Sequence, residues 1–413
     1  MKRTFFALIL IAGIGRIVAF SLFSMEKDLY AAETGELSLK APPRNLAMGG
    51  AGAALSDSLN VNSMNPATYA RLDYTLVTLT YAPEFTSLSD NDTGAGFKHF
   101  GSDFPSAELD IPLGRYGVFF GGYHRDRVLA YDVTYVDADG YTVRRSGSGG
   151  TYNAFAGYAY SVNRMISAGA SFNALFGKTT TNQAIIERPA DGALLEPSRL
   201  QRSRFQAYSA EAGVILKRGA AALGLSAVLP VGSQSIRREH QIIQKYSASD
   251  SVVTFQEYDD DSRFLAPSLT IGLAYMPIRP LQLVSDGLLI FWNDHPRALE
   301  YRVGLGAEVN LASRPGDSYL LDIPLRAGAY YHCPGYPDNV TEQAVTVGFG
   351  LPTYRGFGLL NFSAEFGTRS SDGGASGLTE SFSKLSVQLV HKSRWGRLRR
   401  ESNSGGRRPD GLQ

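Results

Sequence analysis

The sequence predicts an all-β fold, a transmembrane antiparallel β-barrel of about 14 strands with an N-terminal hatch inside the lumen. Three observations carry this prediction. Long segments alternate apolar and polar residues with period two. The links between them are alternately short and long. The composition is that of curved sheet: 44 Gly, 22 Tyr and 22 Phe in 413 residues, beside two Trp and one Cys. A mean hydropathy of −0.13 is too polar for a bundle of membrane helices. It suits a barrel in which only every second strand residue meets lipid.

The N-terminus reads as a secretory signal over residues 1–31. Lys2 and Arg3 precede an apolar run from Phe5 to Ile14, and Ala31 and Ala32 offer small residues for cleavage. Arg16 interrupts the apolar stretch before it reaches the length of about 20 residues that a membrane helix needs. Residues 32–72 read as the hatch. Gly49 and Gly50 sit in a run of Gly and Ala, small residues that let backbone approach backbone. Asn65, Pro66 and Ala67 follow; there Pro fixes φ and Asn caps or bends the chain, against the plainer alternative of an ordinary loop before the first strand.

The barrel is expected over 73–393. Its clearest strand places Tyr301, Val303, Leu305, Ala307, Val309 and Leu311 on one face, with Arg302, Gly304, Gly306, Glu308 and Asn310 on the other. Residues 321–331 and 384–389 repeat the pattern, with Asp322 and Arg326 on the polar face of the first. Such segments run to about 10–12 residues, long for a soluble sheet and right for a tilted membrane strand. Residues 281–292 alternate poorly. Short links rich in turn formers fall near 114–115, 161–163, 217–219, 277–280, 313–316 and 354–356. Long polar excursions lie between them, near 84–103, 125–150, 179–203, 233–262, 293–298, 332–342 and 370–379, and are expected to be loops. Together these links join about 14 strands, with twelve and sixteen as neighbouring solutions. The tail, 394–413, is basic and rich in Gly and Ser, a composition of disorder on the periplasmic side.

Alternation turns Glu211, Arg302, Glu308, Asp322, Arg326 and Glu365 into the lumen. Charges at membrane depth must face a cavity and find partners, so these residues either anchor the hatch and line a polar step or satisfy one another as a static network. Pro230 removes an amide donor from a strand, which marks either a lateral break or simply the rim. A net charge of +1 gives no footprint for nucleic acid. Cys333 stands alone and the six His are dispersed, so neither metal ligands nor a catalytic set emerges, and no cofactor is expected. Gly177, Lys178 and Thr179 lack the earlier glycine of a phosphate loop.

The Gly-Ala run over 44–54, followed by Asn65, Pro66 and Ala67, resembles the start of the FadL/TodX family of outer-membrane hydrophobic-compound transporters and of its PorV-like relatives. Residues 323–331 and 380–395 look more like the PorV-like branch. The resemblance implies a fourteen-stranded outer-membrane barrel closed by an N-terminal hatch, without enzymatic activity. Its expected task is passive uptake of hydrophobic molecules such as long-chain fatty acids or hydrocarbons. The alternative is an adaptor for protein secretion or surface attachment. Expected partners are outer-membrane lipid, a hydrophobic small-molecule substrate, the barrel-assembly machinery that inserts such proteins, and, for the adaptor, secreted proteins.

Overall fold

A computed structural model describes residues 35–393, apart from 91–95, 137–141, 188–195, 247–248, 260–263, 293–298, 312–318, 336–339, 354–357 and 372–377. The expected signal peptide and basic tail lie outside the described residues. A short N-terminal stretch contributes β1 (Glu36–Leu37), a single helical turn α1 (Pro43–Leu46) and a 3-10 turn (Pro66–Arg71). The wall follows as β2 (Thr75–Asp90), β3 (Gly96–Pro112), β4 (Val118–Val136), β5 (Thr142–Ser161), β6 (Ile166–Glu187), β7 (Glu196–Arg218), β8 (Ala221–Tyr246) and β9 (Ser249–Asp259). It continues through β10 (Ser268–Ile278), β11 (Leu281–Ile290), β12 (Glu300–Val309), β13 (Leu325–Cys333), β14 (Val340–Pro352), β15 (Gly358–Ser371) and β16 (Leu378–Ser393).

Every neighbour in the wall is antiparallel, and β16 pairs with β2, so β2–β8 with β10–β16 close a barrel of 14 strands. Closure leaves no edge to aggregate. Two strands stand outside this count. β9 pairs only with the far half of β8, and β1 pairs with β4.

The distribution of side chains inverts that of a soluble protein. On β12, Val303 and Leu305 point outward and are about half exposed, whereas Arg302 on the inner face is buried. Thr78, Asn173, Ser226, Thr346 and Gln388 are likewise buried on inner faces, while Val77, Phe172, Leu225, Val345 and Leu389 stand exposed outside. An apolar outer surface around a polar interior is stable only where the outside solvent is lipid. No described helix is long and apolar enough to cross a membrane, which leaves the strands to do so.

The structure corrects the expected loops. Much of 125–150, 179–203 and 233–262 is ladder, not loop: β4 to β8 run for 19 to 26 residues, and β9 returns along β8. A membrane span needs only about 9–11 residues, so these strands continue well past the bilayer. There the outer face meets water and alternation is no longer required; cross-strand ion pairs such as Arg144–Asp132 and Arg202–Glu239 join the ladder hydrogen bonds. A second correction concerns Asp322. It lies in the turn ahead of β13 instead of on an inward strand face, because the apolar alternation begins before the ladder does.

Candidate functional site: the filled lumen and the β3–β4 seam

The stretch 41–72 lies inside the barrel and is held against the inner faces of most of the wall. Pro43 opens α1, a position where its missing N–H costs nothing. The turn ends at Gly49 and Gly50, both left-handed with φ 69° and 67°. A side chain at Gly49 would also collide with the carbonyls of Leu305 and Ala329, so glycine is required there twice over. The wall answers with its own glycines. A Cβ on Gly304 would meet the Gly49 carbonyl, and one on Gly224 would meet that of Ala53. One on Gly169 would meet the Pro66 carbonyl. Backbone lies directly on backbone around the lumen.

Charge fixes the register of this contact. Arg44 donates through Nε and Nη2 to Glu308 of β12 at 2.9 and 2.7 Å, and through Nη1 to Asp57 at 2.8 Å. Arg326 of β13 donates to the same Glu308 at 2.6 Å and to Asn361 at 3.0 Å. Burial disfavours the Arg44 cation, but the Glu308 and Asp57 carboxylates more than offset it and hold the guanidinium charged. Asp57 is likewise pushed up by burial, and Arg44 with the Leu59 amide pulls it below its ordinary range. Asp286 of β11 accepts from the Gly52 and Ala53 amides at 2.8 and 2.7 Å. Thr346 of β14 donates to the Ala47 carbonyl at 3.0 Å and accepts from Gly49 at 2.9 Å. Arg302 reaches the Gly49 carbonyl at 3.1 Å while lying 3.8 Å over the Tyr330 ring.

Asn65 is fully buried and uses both ends of its amide. Its Oδ1 accepts from Ala67 at 2.9 Å and so caps the 3-10 turn that Pro66 opens. Its Nδ2 donates to the carbonyls of Ala53 (3.0 Å) and Leu225 (3.2 Å), tying that turn to β8. Tyr69, from the same turn, stacks on Phe120 with ring centroids 4.0 Å apart and donates to Glu108 at 2.8 Å. Lys40 pairs with Glu211 of β7. Glu365 is buried on the inner face of β15, beside Lys384 along a shared cavity.

Two gaps in the wall differ in kind. At Pro230 the ladder from β8 to β10 has already stopped at Val228, and the β7–β8 register slips between Gln206 and Tyr208. Gln234 seals that break: it accepts from Phe264 and Leu265 at 2.9 and 2.8 Å and donates to the Leu265 carbonyl at 2.9 Å. The β3–β4 ladder ends at Ser106–His124, although both strands go on. There the vacated edge of β4 is taken from inside by β1, with Ser38 donating to the Asp126 carbonyl at 2.8 Å. Side chains bridge the rest: Arg125 reaches Asp103 at 3.1 Å and Ser38 at 3.2 Å, and Tyr152 donates to Asp103 at 3.1 Å.

Two cavities flank β1 above the inserted segment. One, of about 140 Å³, is lined by Leu39, Phe264, Leu288, Ile290 and Trp292, with His124, Glu211 and Arg302 at its polar side. The other, of about 100 Å³, is lined by Pro83, Pro105, Ser106, His124 and Arg125 and so reaches the seam. Sequence reasoning brought Glu211, Arg302, Glu308, Arg326 and Glu365 to the lumen but missed Arg44, Asp57 and Asp286. The signal for the first two was a lone Arg and a lone Asp flanking a Gly-Ala run. Asp286 sat in the one segment without clean alternation.

A family model described as BamG matches residues 31–261. Among solved structures, the Pseudomonas putida toluene transporter TodX superposes with a TM-score of 0.59 at 14% identity, covering 88% of this chain and 100% of that one. The Ralstonia pickettii toluene transporter TbuX gives 0.59 at 14% identity over 86% and 99%. A Pseudomonas aeruginosa FadL homologue gives 0.59 at 12% identity over 87% and 99%. No curated protein matches the sequence. The barrel therefore has the FadL/TodX-type fold, as the Gly-Ala run and Asn65–Ala67 implied.

Proposed function

Since the chain belongs to the BamG family and carries the FadL-type fold, we propose that it is an outer-membrane channel for the passive transfer of hydrophobic small molecules, with the inserted segment as its hatch. The observation that carries this reading is the β3–β4 seam, where the backbone ladder stops and the gap is spanned by β1 and by the Arg125–Asp103 pair, beside a cavity. A molecule held above the hatch has a route into the bilayer there that breaks side-chain contacts, a two-residue pairing and the Ser38–Asp126 backbone bond. Size narrows the substrate. A cavity of about 140 Å³ matches the roughly 150 Å³ that houses a benzene ring and is far too small for an extended long-chain fatty acid. Single-ring hydrocarbons, packed against Leu39, Leu288, Ile290 and Trp292, are the class proposed.

Trp292 lines that cavity and offers a direct test. In a Trp395→Phe variant it is the only tryptophan, and its emission should shift saturably with toluene. An unchanged spectrum up to toluene saturation would remove the substrate claim.

A second reading, an adaptor for secreted or assembling proteins, is favoured by a different observation. The hydrogen-bonded walls of β4 to β8, with β9, continue far past the bilayer and form a rigid surface of the kind a protein partner uses. This reading predicts co-purification with a protein partner that survives locking of the seam.

A further inference from the structure

The short-turn rim of the barrel carries its own chemistry, distinct from the lumen. Four successive hairpins around this rim, joining β3–β4, β5–β6, β7–β8 and β10–β11, present Arg115, Arg164, Lys217 with Arg218, and Arg279, all exposed. Residues 113–117, 162–165, 216–220 and 276–280 contain no Asp or Glu. Among the described residues none of these five cations has a carboxylate partner. Each hairpin also exposes a large apolar side chain beside its cation. Tyr116 lies against Arg115 with its hydroxyl accepting at 2.7 Å, Met165 flanks Arg164, Leu216 flanks Lys217, and Ile278 flanks Arg279.

An unpaired cation next to an exposed apolar group, repeated at one depth around a membrane barrel, matches the chemistry of the lipid interface. There apolar groups enter the acyl boundary while cations stay with the phosphates. Neighbouring hairpins are two strands apart, about 10 Å at the usual strand spacing, so the arc spans several headgroups. We propose that this arc binds anionic glycerophospholipid of the leaflet at the turn rim, holding the phosphates against β3 to β11. The inference goes beyond transfer through the lumen and does not depend on it.

The test is native mass spectrometry of the full-length protein in micelles doped equally with dioleoylphosphatidylglycerol and dioleoylphosphatidylcholine. Retained lipid should favour phosphatidylglycerol by about tenfold, since both lipids carry a phosphate but only phosphatidylglycerol is net negative, and one or two cations at about 1 kcal/mol each suffice for that ratio. The variant R115Q/R164Q/K217Q/R218Q/R279Q should retain the two equally, with its heat-modifiable gel shift intact. If that variant does not fold, the parent decides. Molar salt should abolish its preference, and a preference that persists in salt would overturn the proposal. Equal retention of both lipids by the parent would overturn it too, as would an undiminished preference in the folded variant.

Discussion

At the scale of single residues, the account rests on buried charges that each serve two elements. Arg44 is buried, and its three nitrogens are committed to Glu308 and Asp57. Removing it leaves a buried carboxylate with a diminished set of partners, a change that costs about 3–5 kcal/mol. Arg44→Leu should therefore lower the free energy of barrel unfolding in urea by that amount, whereas Arg199→Leu, at an exposed position, should shift it by no more than about 0.5 kcal/mol. Equal unfolding free energies for the two variants would show that Arg44 does not clamp the inserted segment. The same clamp sets an acid limit. Asp57 is held below its ordinary range, so its contribution is complete above the unfolded carboxyl value of about 3.9 and is lost as pH falls through its lower folded value. The Arg44-dependent part of stability should be flat from about pH 7 to 5 and should fall only in stronger acid.

At the scale of elements, what could be read from the sequence divides along the membrane boundary. β12 was legible because lipid demands an apolar residue at every outward position, and Val303 and Leu305 obey that demand. The outer halves of β5 to β8 were not, because outside the bilayer the ladder needs no such code. β11 was opaque for a further reason: its inner face carries Asp286, which is there to bind the Gly52 and Ala53 amides. Gly304 and Gly287 are both strand glycines in the sequence, yet only the first lies against the inserted segment. Gly304→Ala should destabilise the inserted segment by about 1–3 kcal/mol through overpacking, whereas Gly287→Ala, with nothing within 4 Å of its new carbon, should be neutral. Limited proteolysis of the inserted segment reads the difference, and identical digestion of both variants would contradict the contact.

For the whole molecule, the closed wall, the inserted segment and the incomplete β3–β4 ladder combine into the proposal that hydrophobic molecules pass through the side of the barrel, at the point where β1 replaces β3. The other gap, between β8 and β10, is closed by three hydrogen bonds from Gln234 to backbone, which leaves the β3–β4 seam the less costly place to open. The most direct measurement is accumulation of radiolabelled toluene by cells lacking their own hydrocarbon channel and expressing a Cys333→Ser background with Asp103→Cys and Arg125→Cys. Joining the two new thiols across the seam with a short bismaleimide should reduce uptake to that of cells without the barrel, while each single cysteine variant treated alike should keep it. Uptake by the joined protein equal to that of its untreated form would contradict lateral passage through β3–β4.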